Sequence, residues 1–362
     1  MSRATIGRMS AQDSESSENG NPSTPPSAAR DLIWRPDILG PGYEQADLDM
    51  GADPDTGSDV RAVLVRASAA NRNTDPNKPA LLWLHGLSDY FFQTHVADYF
   101  TSRGYAFYAL DLRRCGRARQ RGQRWHYTSD LAHYFPEMTA ALASLTTQHD
   151  SVVMLAHSTG GLIAPLWADH LRTEDPVTHA ALRGLILNSP WLDLQYPGPL
   201  VKVMKPVVKF AGRIVPLLPL PQGAVGTYGA SIHESAHGEW KFDTTMKPLN
   251  GHRKYLGWLR AIITAQERIH DGAVDAGVPV LTLVSSHSYL GEDYTPAADT
   301  ADTVLDVDQI RKWAPRLSRD STVRTIDGAR HDVFLSERFA RELAGKASIE
   351  WLESLPTKEA HT

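Results

Sequence analysis

A serine at the apex of a sharp strand-to-helix turn, with a histidine and a carboxylate further along, can carry out nucleophilic acyl transfer. The apolar run Val152 to Ala156 feeds straight into His157-Ser158-Thr159-Gly160-Gly161, and the helical Leu162-Ile163-Ala164 follows. This is the context a nucleophile elbow needs: a strained turn that lifts a hydroxyl above a sheet, flanked by small residues where strand and helix cross. Ala156 and Gly160 are those small neighbours, so Ser158 is the candidate nucleophile. His157 reads as packing, because adjacent side chains diverge.

A serine hydroxyl is a weak nucleophile until a base takes its proton, and that base needs an acid to orient it. His331, in Asp327-Gly328-Ala329-Arg330-His331-Asp332, follows the last strand pattern and precedes the C-terminal helical pattern. That position puts it on a loop at the carboxyl edge of the strands, a placement His270 and His287 lack. The acid falls in a long acidic loop. Asp302 is favoured, because the stretch after it leads into the helical Gln309 to Leu317; Asp306 and Asp299 come next. For the oxyanion, the expected donors are the backbone N–H groups of Thr159 and of Leu87, in His85-Gly86-Leu87.

These residues need a parallel sheet to position them. Short apolar runs at 81–84, 106–110, 152–156, 185–187, 278–284 and 323–326 read as strands, most of them apolar enough to be buried on both faces. Helical patterns lie between them, as at 134–147 and 334–352, so the fold class is α/β, a mostly parallel sheet with helices on both faces. Residues 60–66 read as an earlier, outer strand. From Gln195 to Gly277 no strand pattern appears. We therefore expect a core of 30–194 and 278–362, with 195–277 as an inserted helical cap over the carboxyl edge, where ligands of such sheets bind.

Bulk properties narrow the function. The chain has 362 residues, a formal net charge of −5 and 42% hydrophobic residues. That balance argues against a nucleic-acid partner. Residues 1–29 are rich in Ser, Asn, Pro and Gly and read as a disordered tail without an export signal. One cysteine, Cys115, excludes an internal disulfide and a multi-thiolate metal site, and is compatible with a cytoplasmic location. No run is apolar enough to span a bilayer; Leu200 to Leu220 is broken by Lys202, Lys205, Pro206, Lys209 and Arg213.

Taken in order, His85-Gly86, Asp111 to Arg117, Ala156 to Gly161 and Gly328 to Asp332 resemble the monoglyceride lipase/lysophospholipase-like branch of the α/β hydrolases, which also holds serine-aminopeptidase-like sequences. The resemblance covers residues 60–355. It implies an α/β-hydrolase fold and a serine hydrolase acting on esters through an acyl-enzyme, with no cofactor and no metal. Ala156 departs from the usual glycine, and the acid loop is longer than usual.

Other readings are weaker. His233-Glu234-Ser235-Ala236-His237 matches a zinc-protease signature, but nearby glycines break the helix that motif requires. The arginines at 113, 114, 117, 119, 121 and 124 read as a solvated loop with one or two members tying down neighbours. The cap's apolar residues, Val207 and Phe210 among them, suit a hydrophobic acyl chain, and the same helix could touch a lipid surface transiently. A lactonase or aminopeptidase on the same triad, or a non-catalytic binding protein, are the alternatives.

Overall fold

The computed structural model describes Met1 and residues 32–196, 198–221, 226–291 and 293–356. The expected disordered tail thus lies, but for Met1, outside the described residues. Nine strands form one sheet: β1 (Arg35–Pro36), β2 (Glu44–Ala52), β3 (Asp59–Arg66), β4 (Ala80–Leu84), β5 (Phe107–Asp111), β6 (Val152–His157), β7 (Leu182–Asn188), β8 (Val280–Ser285) and β9 (Ser321–Ile326). Their order is β1-β2-β3-β5-β4-β6-β7-β8-β9. From β5 to β9 every pairing is parallel, while β1, β2 and β3 join antiparallel.

The central strands are buried from end to end because they are apolar on both faces; Ala80–Leu84 and Val152–His157 are two cases. The helices are α1 (Thr94–Thr101), α2 (Phe135–Leu145), α3 (Thr159–Glu174), α4 (Pro176–His179), α5 (Gly198–Ile214), α6 (Gly226–Ile232), α7 (Leu256–His270), α8 (Val307–Trp313) and α9 (Arg338–Ser354). One face of the sheet packs on α2, α3 and α7 through Met138, Leu162, Trp167 and Ile262. The other packs on α1 and α9 through Phe100, Ala344 and Trp351.

Two expectations change. The strand at 60–66 is not the outer one, since β2 and β1 lie beyond it. In β2 only Ala46 and Leu48 are buried, between Asp47 and Asp49, so the alternation is carried by two small signals. The segment 195–277 is also not all cap. Trp258, Ile262 and Ile269 of α7 belong to the main core, because α7 is the crossover that joins parallel β7 and β8. Among the described residues no helix is long and apolar enough to cross a membrane.

Candidate active site

Ser158 sits between β6 and α3 with φ 52° and ψ −112°, a conformation that non-glycine residues seldom adopt. The turn is held from three sides. The Ser158 N–H donates to the Asn188 carbonyl at 2.9 Å, and the Ser158 carbonyl accepts from Leu162 and Trp191 at 3.2 and 3.1 Å. Gly160 is required for close approach, since a Cβ there would stand 2.6 Å from the His85 carbonyl oxygen. At Gly161 it would meet the Pro190 side chain at 2.8 Å.

The structure brings the three expected side chains together. The Ser158 hydroxyl donates to His331 Nε2 at 3.0 Å, and His331 Nδ1–H donates to Asp302 Oδ2 at 2.9 Å. Asp302 is fully buried, and its other oxygen accepts the N–H groups of Val304 and Leu305, each at 2.8 Å. The two rival acids are engaged elsewhere. Asp299 pairs with Arg330 at 2.8 Å, and Asp306 caps α8 by accepting from the Asp308 N–H.

The loop expected to supply an oxyanion donor is built around His85. Its Nδ1–H donates to the Gly86 carbonyl at 2.7 Å, while its Nε2 accepts the Leu112 N–H at 3.1 Å. The Gly86 carbonyl and Leu87 N–H share one trans peptide, in which the two groups point opposite ways. Anchoring the carbonyl on the ring therefore turns the Leu87 N–H away from it. A Cβ on Gly86 would lie 3.0 Å from the Ser158 Cβ, so this peptide stands beside the hydroxyl. Thr159 opens α3, where the first N–H groups lack intrahelical partners.

Neighbouring groups settle the electrostatics. His157 is buried against His331 with ring centroids 4.9 Å apart, and its Nδ1–H donates to the Asn188 carbonyl. Burial, then repulsion from His331, pull its pKa down to about 3, so it is neutral at ordinary pH. Asn188, at the end of β7, also donates to Asp332 at 2.7 Å and accepts the Val333 N–H at 3.0 Å. One residue thus joins the nucleophile turn to the histidine loop.

A cavity of about 560 Å³ opens over Ser158 and His331, walled by Leu87, Trp191, Met204, Phe242, Leu249 and Trp258 among others. Val207 and Phe210 do not line it; they are 61% and 71% exposed on the outer face of α5. The expected acyl-pocket residues are corrected accordingly. In α5 the inward positions are Val201, Met204, Val208 and Ala211, and the outward ones are Leu200, Val203, Val207, Phe210 and Ile214. The apolar arc is too wide for one face to bury, and residues one position apart point about 100° apart.

Sequence reasoning did not find Tyr228 or Lys247. The Tyr228 ring meets His331 edge-on at 5.3 Å, and its buried hydroxyl has no partner among the described residues. Lys247 lines the cavity and pairs with buried Asp89 at 2.8 Å, across 158 residues of chain. No local pattern announces either. The arginine cluster is more structural than expected, for Arg113, Arg114 and Arg117 are all buried in ion pairs, with Glu137, Asp53 and Asp37 respectively.

His233 and His237 do not share a helix face, because α6 ends at Ile232. His233 contacts Ser235 and the Phe242 carbonyl, whereas His237 stacks on Tyr294. Among the described residues, His85, Cys115 and His126 offer atoms close enough to meet on one ion. Both His85 nitrogens are already bonded to backbone groups, and the Cys115 sulfur lies 3.1 Å from His126 Nδ1.

Comparison with known proteins gives a family and a fold. Residues 75–338 match the model of a family described as serine aminopeptidase, S33. A soluble variant of monoglyceride lipase from Saccharomyces cerevisiae superposes with a TM-score of 0.60 at 15% identity, covering 86% of this chain and 97% of that one. Monoacylglycerol lipase from Paleococcus ferrophilus gives 0.58 at 20% identity, covering 77% and 96%. A thermophilic esterase from Thermogutta terrifontis gives 0.51 at 16%, covering 85% and 98%. No sequence among the curated proteins matches.

Proposed function

The chain belongs to the serine aminopeptidase S33 family and is a hydrolase of the α/β-hydrolase fold, and from that premise we propose that it cleaves carboxylic esters of hydrophobic acyl chains through an acyl-enzyme. The observation that carries this reading is the Ser158–His331–Asp302 relay, opening on an apolar cavity.

In the proposed reaction His331 takes the Ser158 proton as the oxygen attacks the ester carbonyl. Asp302 holds the imidazole in the tautomer that can accept it and stabilises the imidazolium. The backbone N–H groups of Leu87 and Thr159 receive the oxyanion, in a site where fixed dipoles act at low dielectric. His331 then gives the proton to the leaving alcohol. Water, deprotonated by the same ring, releases the acid and restores Ser158.

The family's descriptive name raises a peptidase reading. An aminopeptidase must bind a substrate ammonium, which calls for a carboxylate near the nucleophile. Among the described residues the cavity wall contains none; its ionisable side chains are His157, His331, Lys247, Lys254 and Tyr196 and Tyr228. That favours an ester with an apolar acyl group, similar to a monoacylglycerol or lysophospholipid, over an aminoacyl amide. A lactone remains the second substrate for the same triad. The exposed stripe on α5, set among Lys202, Lys209 and Arg213, fits transient contact with a lipid surface.

The test is covalent labelling by a fluorophosphonate together with turnover of p-nitrophenyl esters of increasing chain length. Wild type labels on Ser158, and Ser158→Ala neither labels nor turns over while remaining folded. Each buried methylene is worth about 0.8 kcal/mol, so kcat/KM rises with chain length until the cavity is full. Labelling that survives in Ser158→Ala would sink the mechanism, and a flat chain-length profile would favour lactones.

A further inference from the structure

Two lysines reach the cavity wall, and they are not equivalent. Lys247 is neutralised: its Nζ lies 2.8 Å from Asp89 Oδ1, both side chains are buried, and the Phe92, Tyr228 and Phe242 rings surround it. Lys254 has no such partner. No carboxylate, carbonyl or ring among the described residues meets its ammonium, although the side chain is half-buried in the wall. Burial pulls its pKa below the ordinary lysine range, and no neighbouring acid opposes that.

Its backbone is fixed close to the reacting centre. The Lys254 carbonyl accepts the Leu220 N–H at 2.9 Å, and two residues earlier the His252 N–H donates to Ser88 Oγ at 2.8 Å. Ser88 directly follows Leu87, the proposed oxyanion donor. The lysine therefore stands on the side of the cavity that carries the oxyanion loop.

A partly desolvated ammonium without a partner in the wall of a mostly apolar cavity is less well solvated than in water, and an anion in the cavity would offset that cost. Building on the ester reading, we infer that Lys254 selects substrates carrying a negative group, a carboxylate or a phosphate, at a distance from the scissile ester. A charge-assisted contact of this kind is worth about tenfold or more in discrimination. The anion can enter on either side of the ester, as a carboxylate closing the acyl chain or as a phosphate on the alcohol.

Two substrate pairs distinguish these sources: mono-p-nitrophenyl suberate against p-nitrophenyl octanoate, and 1-octanoylglycerol 3-phosphate against 1-octanoylglycerol. We expect the anionic member of one pair to be preferred by about tenfold in kcat/KM, chiefly through KM. That ratio falls to about one in Lys254→Met and persists in Lys254→Arg. The pair in which it appears identifies the side on which the charge lies. Ratios at or below one for both pairs in wild type, or a preference untouched by Lys254→Met, overturn the inference while the ester reading stands. Absence of both turnover and fluorophosphonate labelling overturns the two together.

Discussion

The side-chain amide of Asn188 donates to Asp332 at 2.7 Å, while the Asn188 backbone carbonyl accepts the Ser158 N–H at 2.9 Å. Asn188 and Asp332 are both fully buried. The end of β7 therefore sets the distance between the nucleophile turn and the histidine loop, without itself touching the cavity. Gln93 adds a second donor to Asp332 at 3.2 Å.

Asn188→Ala should consequently damage the site from outside it. Removing the amide leaves a buried carboxylate short of a donor and a void behind the His331 loop, at a cost of about 2 kcal/mol. Misplacement of His331 by a fraction of an ångström should lower kcat about tenfold or more. The expected result is a lower Tm and slower fluorophosphonate labelling, with Ser158, His331 and Asp302 all intact. Labelling at the wild-type rate would mean that the loop holds its place without Asn188.

The acid loop offers a three-way comparison. Asp302→Asn should cut kcat by a factor on the order of 10⁴, because the amide favours the imidazole tautomer that cannot accept the serine proton. Asp306→Asn keeps a side-chain oxygen that can still cap α8, so it should change stability and kcat little. Asp299→Asn weakens a partly buried contact to Arg330 and should lower Tm more than kcat. If Asp299→Asn or Asp306→Asn proved the more damaging to kcat, the relay geometry would not be the working one.

That the sequence singles out Ser158 as a candidate but only favours Asp302 among three acids has a local explanation. Ser158 lies in a continuous strand–turn–helix signal of some fifteen residues, and His331 directly follows a strand. The choice among Asp299, Asp302 and Asp306 depends on how an irregular loop folds back: the Asp302 N–H donates to the His287 carbonyl and the Tyr289 N–H to the Asp302 carbonyl. Such pairing has no sequence period. The same holds for Lys247 with Asp89 and for Tyr228 over His331, which are long-range contacts. The buried strands were legible because apolar runs are their own signature. Strand β2 was not, since its pattern rests on Ala46 and Leu48 alone.

His157 gives the protein a built-in acid sensitivity. Its folded pKa, about 3, lies below the ordinary histidine value of 6.5. The unfolded chain therefore binds a proton that the folded chain refuses between those limits. The stability conferred by this neutral ring is present above pH 6.5 and is lost as pH falls toward 3. At full effect the slope is about 1.4 kcal/mol per pH unit. Urea unfolding between pH 7 and 4 should show at least that slope, since buried His126 is shifted in the same direction, and His157→Asn should lessen it. An unchanged slope in the variant would place the titrating group elsewhere.

The outer face of α5 gives the last prediction. Leu200, Val203, Val207, Phe210 and Ile214 recur at helical spacing, all exposed, beside Met204, which points inward to line the cavity. One helix thus presents apolar side chains to solvent and to the cavity at once. If the outward stripe settles on a lipid or micelle surface, it brings the cavity wall to where an insoluble ester is dissolved. Val207→Asp with Phe210→Asp introduces two charges into that stripe without changing a residue of the cavity wall. Binding to vesicles of anionic phospholipid, measured by sedimentation, should fall at least tenfold, since about 0.8 kcal/mol is lost per methylene no longer buried. Turnover of an ester presented in micelles should fall in parallel, while p-nitrophenyl acetate in free solution is hydrolysed at the wild-type rate. Equal losses on both substrates would show that the changes had disturbed the cap itself. Unchanged vesicle binding would show that the stripe meets no lipid surface.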